Sequence, residues 1–462
     1  MGLIRKQSFL SIWNMNFGFF GIQFSFGLQQ SNMSAIYSYL GAEPEKLAIL
    51  WLAGPITGLI VQPIIGAASD RTWSPKFGRR KPYFLIGAIL ASLALILMPF
   101  SQTLWMAAGL LWILDAANNI AMEPYRAFIT DILPEEQHSL GFLMQSFFTG
   151  LGTTLANFAP AIIVSFGLIS ISDKMDNGIP TFTYWAFGIG AVASIVTVLF
   201  SVLTTKEYPP SAEELAQLKS EKAKGGRTIK ALLEIKEAIK DMPSTMKQLI
   251  PVQFLTWFGM FCYWQYITLA LSSSIYGTID AKSDYFAEAQ LLTGGINGVY
   301  NIVCFSLAFL LVPLAAKLGP KNLHFISLTL GGLGLISLPF LNNSIVLFSI
   351  SNPFGDGSFE LSQVYLLSFG LGIAWASMLA LPYKILAGAI PAKRNGVYMG
   401  IFNMFIVIPM IIQIFALRYF VYDWLGSDPT NVIILAGACL IAGGISALFI
   451  KEKLAPTKSV AT

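Results

Sequence analysis

Long apolar runs separated by short polar stretches are the dominant pattern of this 462-residue chain. A helix needs about 20 residues to cross a lipid bilayer, and twelve of the runs approach or exceed that length. We place these runs at 9–38, 47–68, 82–100, 104–130, 140–168, 181–204, 249–275, 290–316, 322–342, 362–389, 395–420 and 430–450. The pattern predicts an all-α polytopic membrane protein with 12 transmembrane helices.

One polar stretch is much longer than the others and divides the runs into six and six. It defines three predicted regions: an N-terminal six-helix bundle over 1–204, a linker over 205–248, and a C-terminal bundle with a short tail over 249–462. Within the linker, apolar residues among lysines over Thr228–Met242 predict an amphipathic helix that lies along the membrane surface. A solvated tether between the bundles is an equally good interpretation, and the two are compatible.

The two halves also repeat weakly. Pro124–Arg126 in the fourth run matches Pro382–Lys384 in the tenth, at an offset of 258 residues. Two pseudo-symmetric six-helix bundles with a repeat and a linker at the midpoint are typical of transporters that rock around a central site.

Composition and charge narrow the class of protein further. Only 12% of the residues are charged, about half the fraction of a soluble domain. Most Lys and Arg residues fall in loops on one side, so both termini are predicted to be cytoplasmic. The three cysteines lie inside apolar runs, and no metal spacing, phosphate loop or nucleophile–base set is evident. We therefore expect no enzyme activity, no cofactor, no metal and no nucleic-acid partner, and we expect a monomer in the lipid bilayer.

The fourth run carries polar residues at a depth where they are costly. Helical spacing places Asp115, Asn119 and Arg126 close to one face, with Asn118 beside it. Ionisable groups inside a membrane indicate function by default. Removal from water disfavours a charged carboxylate, so Asp115 is predicted to take up and release a proton. The structural alternative is an aspartate held by neighbouring amides.

Two further charges follow in the same run. Glu123 precedes a proline and has three possible roles: a second titrating group, a cation ligand, or a packing partner of Arg126. Arg126 lies near the cytoplasmic end, where a long side chain reaches water at low cost. We expect Arg126 to pair with Asp131, or with a carboxylate of another loop, as part of an intracellular gate.

The loop after the second run, Gly66–Pro82, is dense in charge. A charge cluster between two helices can pair in one conformation and separate in another, and so can bias a gate. Gly78 permits a tight turn there. A plain cytoplasmic anchor of basic residues is the alternative. The residues predicted for the cytoplasmic gate are Asp70, Arg71, Gly78, Arg79, Arg80, Arg126 and Asp131.

This loop resembles the cytoplasmic signature of the major facilitator superfamily. Leu52–Gly58, Val61–Pro63 and Leu114–Asn119 make the chain similar to the sucrose-transporter branch, which is related to the glycoside–cation symporters. The resemblance implies the two-bundle fold of that superfamily and proton-coupled symport of an α-glucoside disaccharide of the sucrose or maltose type. It also implies that Asp115 is the proton-coupling residue. Glu123, as a possible second titrating group, is a further candidate that the resemblance does not assign.

Two other functions stay open at this stage. Sodium coupling is the first, with Glu123 joining Asp115 as oxygen ligands. A non-transporting membrane sugar sensor is the second, although the short linker and tail argue against it.

In the symport mechanism, Asp115 loads a proton from outside, the sugar binds between the bundles, and both leave inward. The expected location is a plasma membrane of the bacterial inner-membrane type.

Sugar recognition needs amide hydrogen bonds and aromatic faces against the sugar's C–H surface. Packing against lipid or core is the alternative for any single aromatic. Asn297, Tyr300 and Asn301 are spaced to share one helical face. The predicted substrate-binding residues are Gln29, Asn118, Asn119, Gln145, Trp264, Gln265, Asn297, Tyr300, Asn301 and Trp375.

Overall fold

The structure is a computed structural model that describes residues 6–70, 72–75, 77–167, 169–209, 236–351, 358–390 and 395–451. Arg71 lies outside the described residues. So does most of the predicted amphipathic helix over Thr228–Met242, of which residues 236–240 are helical.

Helices dominate the described chain. The helices of the first half are α1 (Phe9–Tyr39), α2 (Pro44–Leu50), α3 (Ala53–Asp70), α4 (Lys81–Leu97), α5 (Leu104–Ile132), α6 (Glu135–Ser165) and α7 (Thr181–Thr204). Those of the second half are α8 (Ser244–Tyr276), α9 (Asp284–Leu318), α10 (Pro320–Ile336), α11 (Leu366–Ala387), α12 (Asn395–Ala416), α13 (Tyr422–Trp424) and α14 (Pro429–Leu448). Short 3-10 turns occur at Met98–Phe100, Leu338–Phe340 and Gln363–Tyr365, and a π-helix at Leu417–Val421.

The apolar runs found in the sequence coincide with helices to within a few residues. Nine stretches of the described chain are long and apolar enough to cross a membrane. The first, seventh and ninth predicted spans are helical too, as α1, α8 and α10, and the count of 12 crossings stays a prediction. The second predicted span is interrupted, because α2 ends at Leu50 and α3 begins at Ala53.

The described residues divide into two compact units. Unit 1 comprises Met1–Gly225, Leu271–Asn301 and Ser349–Phe359, and so includes the end of α8 and the first part of α9. Unit 2 comprises Gly226–Ala270, Ile302–Phe348 and Glu360–Thr462.

In unit 1, α1 packs closely against α6 and α7. A Cβ on Gly21 would lie 2.5 Å from the carbonyl oxygen of Ala193 in α7, and a Cβ on Gly152 would lie 2.5 Å from that of Phe20 in α1. Small residues permit this approach of backbones, as is usual between membrane helices. Elsewhere in unit 1, the ring of Tyr125 from α5 stacks on that of Phe84 of α4, with 4.4 Å between the ring centroids.

Unit 2 is built in the same way around α10, which packs against α11 and α14. A Cβ on Gly437 would lie 2.5 Å from the carbonyl oxygen of Gly332, so α10 and α14 also touch along their backbones. Buried His324 of α10 hydrogen-bonds Ser377 of α11 at 2.6 Å.

A β-hairpin follows α10, where the apolar pattern predicts only a loop. Strands β1 (Val346–Ser351) and β2 (Ser358–Ser362) form a two-stranded sheet. The sequence VLFSIS of β1 is rich in β-branched and aromatic residues, which favour strands. An apolar run of six residues is too short to be recognised in a sequence where membrane helices are identified by runs of about 20 residues.

Candidate functional site

The carboxylate of Asp115 lies inside unit 1 at 2% exposure. Gln29 of α1 donates a hydrogen bond from Nε2 to Oδ1 of Asp115 at 2.7 Å. The second oxygen, Oδ2, is buried and has no hydrogen-bond partner among the described residues. A charged carboxylate is costly to bury without pairing, so this oxygen is well placed to carry a proton.

Asn119 connects the carboxylate to the neighbouring helix α3. Its Nδ2 donates to the backbone oxygen of Asp115 at 2.9 Å and to Oγ1 of Thr57 at 3.2 Å. Its Oδ1 accepts from Nε2 of Gln62 at 2.7 Å. Thr57 and Gln62 therefore belong to the same polar network as Asp115. Sequence reasoning did not assign either residue a role, because each is a single polar position within an apolar run.

Two predicted sugar ligands of unit 1 keep unused donors. The Nδ2 of Asn118 and the Nε2 of Gln145 are buried and without hydrogen-bond partners within the described part of the chain. Oε1 of Gln29 is in the same condition. A buried amide without a partner destabilises the fold by roughly 1–3 kcal/mol, so such atoms are candidates for binding a polar ligand.

The charge pair of Glu123 and Arg126 is loose and partly exposed. Oε2 of Glu123 and Nη1 of Arg126 are 3.9 Å apart, with 37% and 52% of the side chains exposed. Arg126 also points Nη2 at the sulfur of Met122, 3.7 Å away. Of the three interpretations of Glu123, the structure contains the packing contact with Arg126.

Of the two kinds of partner predicted for Arg126, the first, Asp131, is wrong. Asp131 instead accepts a hydrogen bond from Nε of Arg80 at 2.7 Å. Side chains three or four positions apart meet on a helix, and these two are five apart, on different faces of α5. Of the predicted gate residues on α5, Asp131 therefore joins the charge cluster of the loop, and Arg126 does not pair with it.

Arg80 is the centre of that charge cluster. Its Nη1 lies 2.7 Å from Oδ1 of Asp70 and donates to Oγ of Ser69 at 2.7 Å, while Nε holds Asp131. Burial acts to lower the pKa of Arg80, but the hydrogen bonds and charges of Asp131 and Asp70 outweigh it and raise the pKa above its ordinary value. The structure thus joins the ends of α3 and α5 through one arginine at the start of α4.

The backbone of the same loop is held as well. Gly78 has a φ of +78°, the left-handed conformation that favours glycine. Its N–H and oxygen exchange hydrogen bonds with Ser74 at 2.8 and 3.0 Å. The backbone N–H of Arg79 donates to Glu207, a residue of the linker that sequence reasoning passed over.

Three predicted sugar ligands on α9 lie in unit 1 and are already engaged. Nδ2 of Asn297 donates to Oγ of Ser31 at 3.1 Å, and that hydroxyl in turn donates to Asn157. Nδ2 of Asn301 donates to the backbone oxygen of Asn297 at 2.8 Å. Tyr300 is buried, at 1% exposure. These contacts attach the first part of α9 to α1 and α6.

Unit 2 brings together three tryptophans that are far apart in the sequence. The ring of Trp375 lies 5.7 Å from that of Trp257 and 5.4 Å from that of Trp264, both edge to face. Next to Trp264 along α8, the Oε1 of Gln265 accepts from Nε2 of Gln413 at 2.9 Å. The two predicted aromatic ligands therefore form one cluster, and Gln265 is fixed by an amide that the sequence did not single out.

Comparison with known proteins identifies the family. The sequence model of the Major Facilitator Superfamily matches residues 15–414. Sucrose transport protein SUT1 of Oryza sativa subsp. japonica is 26% identical over 485 residues, covering 94% of this chain and 86% of that protein. Sucrose transport protein SUC4 of Arabidopsis thaliana is 27% identical over 423 residues, covering 85% and 80%.

Solved structures show the same fold at low sequence identity. A D-xylose–proton symporter has a TM-score of 0.65 at 14% identity, covering 96% of this chain and 98% of that chain. The nucleoside transporter NupG has a TM-score of 0.65 at 15% identity, covering 96% and 100%. The family match extends over most of the sequence, and this chain belongs to the Major Facilitator Superfamily.

Proposed function

We propose that this protein is a proton-coupled symporter of an α-glucoside disaccharide of the sucrose type, working by alternating access. The observation that carries the proposal is the buried carboxylate of Asp115, held at one oxygen by Gln29 and without a partner at the other. The relatives named as sucrose transport proteins support the choice of substrate. We further propose a monomer in a plasma membrane, with both termini cytoplasmic because most Lys and Arg residues fall in loops on one side.

Proton and sugar are linked through the atoms around Asp115. In the charged state, Oδ2 accepts a hydrogen bond or a proton. Protonation removes the charge and turns Oδ2 into a donor. The hydroxyl groups of a sugar accept from the unused amide donors of Asn118 and Gln145 and donate to Oε1 of Gln29. Because Gln29 holds both the carboxylate and the sugar, binding of one changes the hydrogen bonds available to the other.

For unit 2, we propose that the tryptophan cluster takes part in sugar recognition. Edge-to-face rings such as Trp257, Trp264 and Trp375 present a rigid surface against which the C–H face of a pyranose packs. We propose Trp264 and Trp375 as contacts of this kind, with Gln265 positioned beside them by its amide hydrogen bond.

Arg80 is the proposed centre of the cytoplasmic gate. Its guanidinium holds the ends of α3 and α5 through Asp70 and Asp131, so separation of these ends must break charge-assisted hydrogen bonds. Such a cluster stabilises the conformation in which the cytoplasmic side is closed.

Uptake into proteoliposomes tests the function. Purified protein is assayed with sucrose, maltose and a monosaccharide under an inward proton gradient, an inward sodium gradient, and a proton gradient with protonophore. We expect accumulation of a disaccharide that the proton gradient drives and the protonophore abolishes. Accumulation driven by sodium alone would refute the coupling ion, and no transport of any disaccharide would refute the substrate.

A further inference from the structure

One carboxylate attaches the first residues of the linker to the loop of the cytoplasmic gate. Glu207 lies three residues beyond the end of α7 at Thr204. Its oxygens accept three consecutive backbone N–H groups, from Arg79 at 2.7 Å and from Arg80 and Lys81 at 3.1 Å each. These donors lie at the start of α4, where a helix leaves its first N–H groups without partners of its own.

A side chain at position 78 would have to displace the carboxylate of Glu207. A Cβ on Gly78 would lie 2.5 Å from Cδ and Oε1 of Glu207, in addition to the strain of its positive φ. Glycine therefore serves the loop in two ways, since it permits the turn and leaves the carboxylate of Glu207 in place.

Residues on either side of Glu207 strengthen the attachment. Nζ of Lys81 donates to the backbone oxygen of Thr205. On the other side, Oη of Tyr208 accepts from Nε2 of Gln7 at 2.8 Å. The segment 205–208 is thus held at three points against residues of unit 1.

We infer that Glu207 is a positioning residue of the cytoplasmic gate, which acts through the backbone of residues 79–81 to present the guanidinium of Arg80 to Asp131 and Asp70. Residues 79–81 carry both sets of contacts. Their N–H groups bind Glu207, and the guanidinium of Arg80 binds the carboxylates of Asp70 and Asp131. A planar guanidinium with three acceptors tolerates little displacement, since its donors have fixed directions. Releasing the backbone therefore weakens the gate without removing any of its charges.

Hydrogen–deuterium exchange of the full-length protein tests the contact without any sugar. Glu207→Gln loses the charge and one acceptor oxygen, and amides 79–81 are expected to exchange about tenfold faster or more. Glu136→Gln is the matched control, because it removes a carboxylate charge in the same way, whereas Glu136 pairs with the side chain of Lys6 at 2.6 Å and the amides 79–81 bond Glu207. Unchanged exchange at residues 79–81 in Glu207→Gln would overturn the inference.

Transport kinetics test the link to Arg80, and this arm rests on the proposed function. Glu207→Gln is expected to lower the maximal rate of sucrose counterflow while KM stays within about twofold. Glu207→Asp is expected to recover part of the lost rate. In an Arg80→Lys background, Glu207→Gln is expected to add no further loss, because both variants act on one contact. Losses that multiply would show that Glu207 does not act through Arg80.

A pair of glycine variants provides a test of the contact that does not depend on the folding of the Glu207 variants. Gly78→Ala is expected to reproduce Glu207→Gln. Gly41→Ala is the control, since Gly41 has a φ of +85° but a Cβ there meets nothing within 4 Å. Equal effects of both glycine variants would assign the loss to backbone strain and count against the inference. A wild-type protein that moves no sucrose would refute the substrate, and the exchange result would still decide whether Glu207 holds the gate backbone.

Discussion

Replacement of Asp115 by asparagine removes the ionisable group and keeps nearly the same shape. The Oδ1 of the new amide can still accept the hydrogen bond that Gln29 donates at 2.7 Å, so the helices α1 and α5 stay connected. Asp115 is the one carboxylate that is buried among the described residues. We therefore expect a single proton per transport cycle in the wild type and none in Asp115→Asn.

The size of the effect follows from that single charge. One elementary charge that crosses a potential of about 100 mV releases about 2.3 kcal/mol. Since about 1.4 kcal/mol corresponds to a tenfold ratio, the wild type is expected to accumulate sugar about 40-fold. Asp115→Asn is expected to equilibrate the sugar at a ratio near one, while sugar exchange continues because the contacts of Arg80 are intact.

Proteoliposomes with an imposed potential give the measurement. Accumulation of radiolabelled sucrose is followed under the potential, and counterflow is followed without it. Glu123→Gln is the companion variant, because the side chain of Glu123 is 37% exposed and contacts Arg126 loosely. It is expected to keep accumulation. Full accumulation by Asp115→Asn would refute the assignment of the coupling residue, and loss of accumulation in Glu123→Gln would refute coupling by Asp115 alone.

Three further variants test other parts of the structure. Arg80→Lys keeps the positive charge but loses the planar guanidinium and with it one charge-assisted hydrogen bond, worth about 1.5–3 kcal/mol. Uphill uptake is therefore expected to slow at least about tenfold at unchanged expression. Trp375→Ala is expected to raise the KM for sucrose by about two- to tenfold through the loss of an aromatic contact, whereas Trp424→Ala, at 80% exposure, leaves KM unchanged. Gly21→Ala places a Cβ 2.5 Å from a backbone oxygen of α7 and is expected to cost about 1–3 kcal/mol of stability, seen as a lower melting temperature in detergent, while Gly109→Ala, which meets nothing within 4 Å, does not.

The helices could be predicted from the sequence because their signal is local. An apolar run of about twenty residues needs no partner to be identified, and the runs at 104–130 and 181–204 match α5 and α7 closely. Asp115 and Asn119 were found for the same reason, since a polar group in such a run is conspicuous whatever it contacts. The hairpin of β1 and β2 could not be predicted in this way, because its strands are much shorter than the roughly 20 apolar residues that identify a membrane helix.

The pairing of side chains could not be predicted, because it depends on how helices come together. Asp131 bonds Arg80, a residue 51 positions away, although Arg126 is nearer in sequence and carries the same charge. The rings of Trp264 and Trp375 are in contact although the two residues are 111 positions apart in the sequence and no motif links them. Glu207 lies in a polar linker where carboxylates are common, and its partners, the N–H groups at the start of α4, are more than 120 positions away in the sequence.

The repeat between the halves explains why the chemistry concentrates in unit 1. The position equivalent to Asp115 at the offset of 258 is Ile373, and that of Glu123 is Leu381, so the second half keeps the helix and loses the acid. Among the residues that the structure describes in unit 2, no Asp or Glu is buried, and the buried histidine, His324, has its Nδ1 engaged by Ser377 at 2.6 Å. Under the proposed function, the first half handles the proton, and the second half, which lacks these acids, presents apolar rings such as Trp375. Under the proposed function, the residue that carries the proton, Asp115, and the gate arginine, Arg80, which lies between Asp70 and Asp131, belong to the same unit.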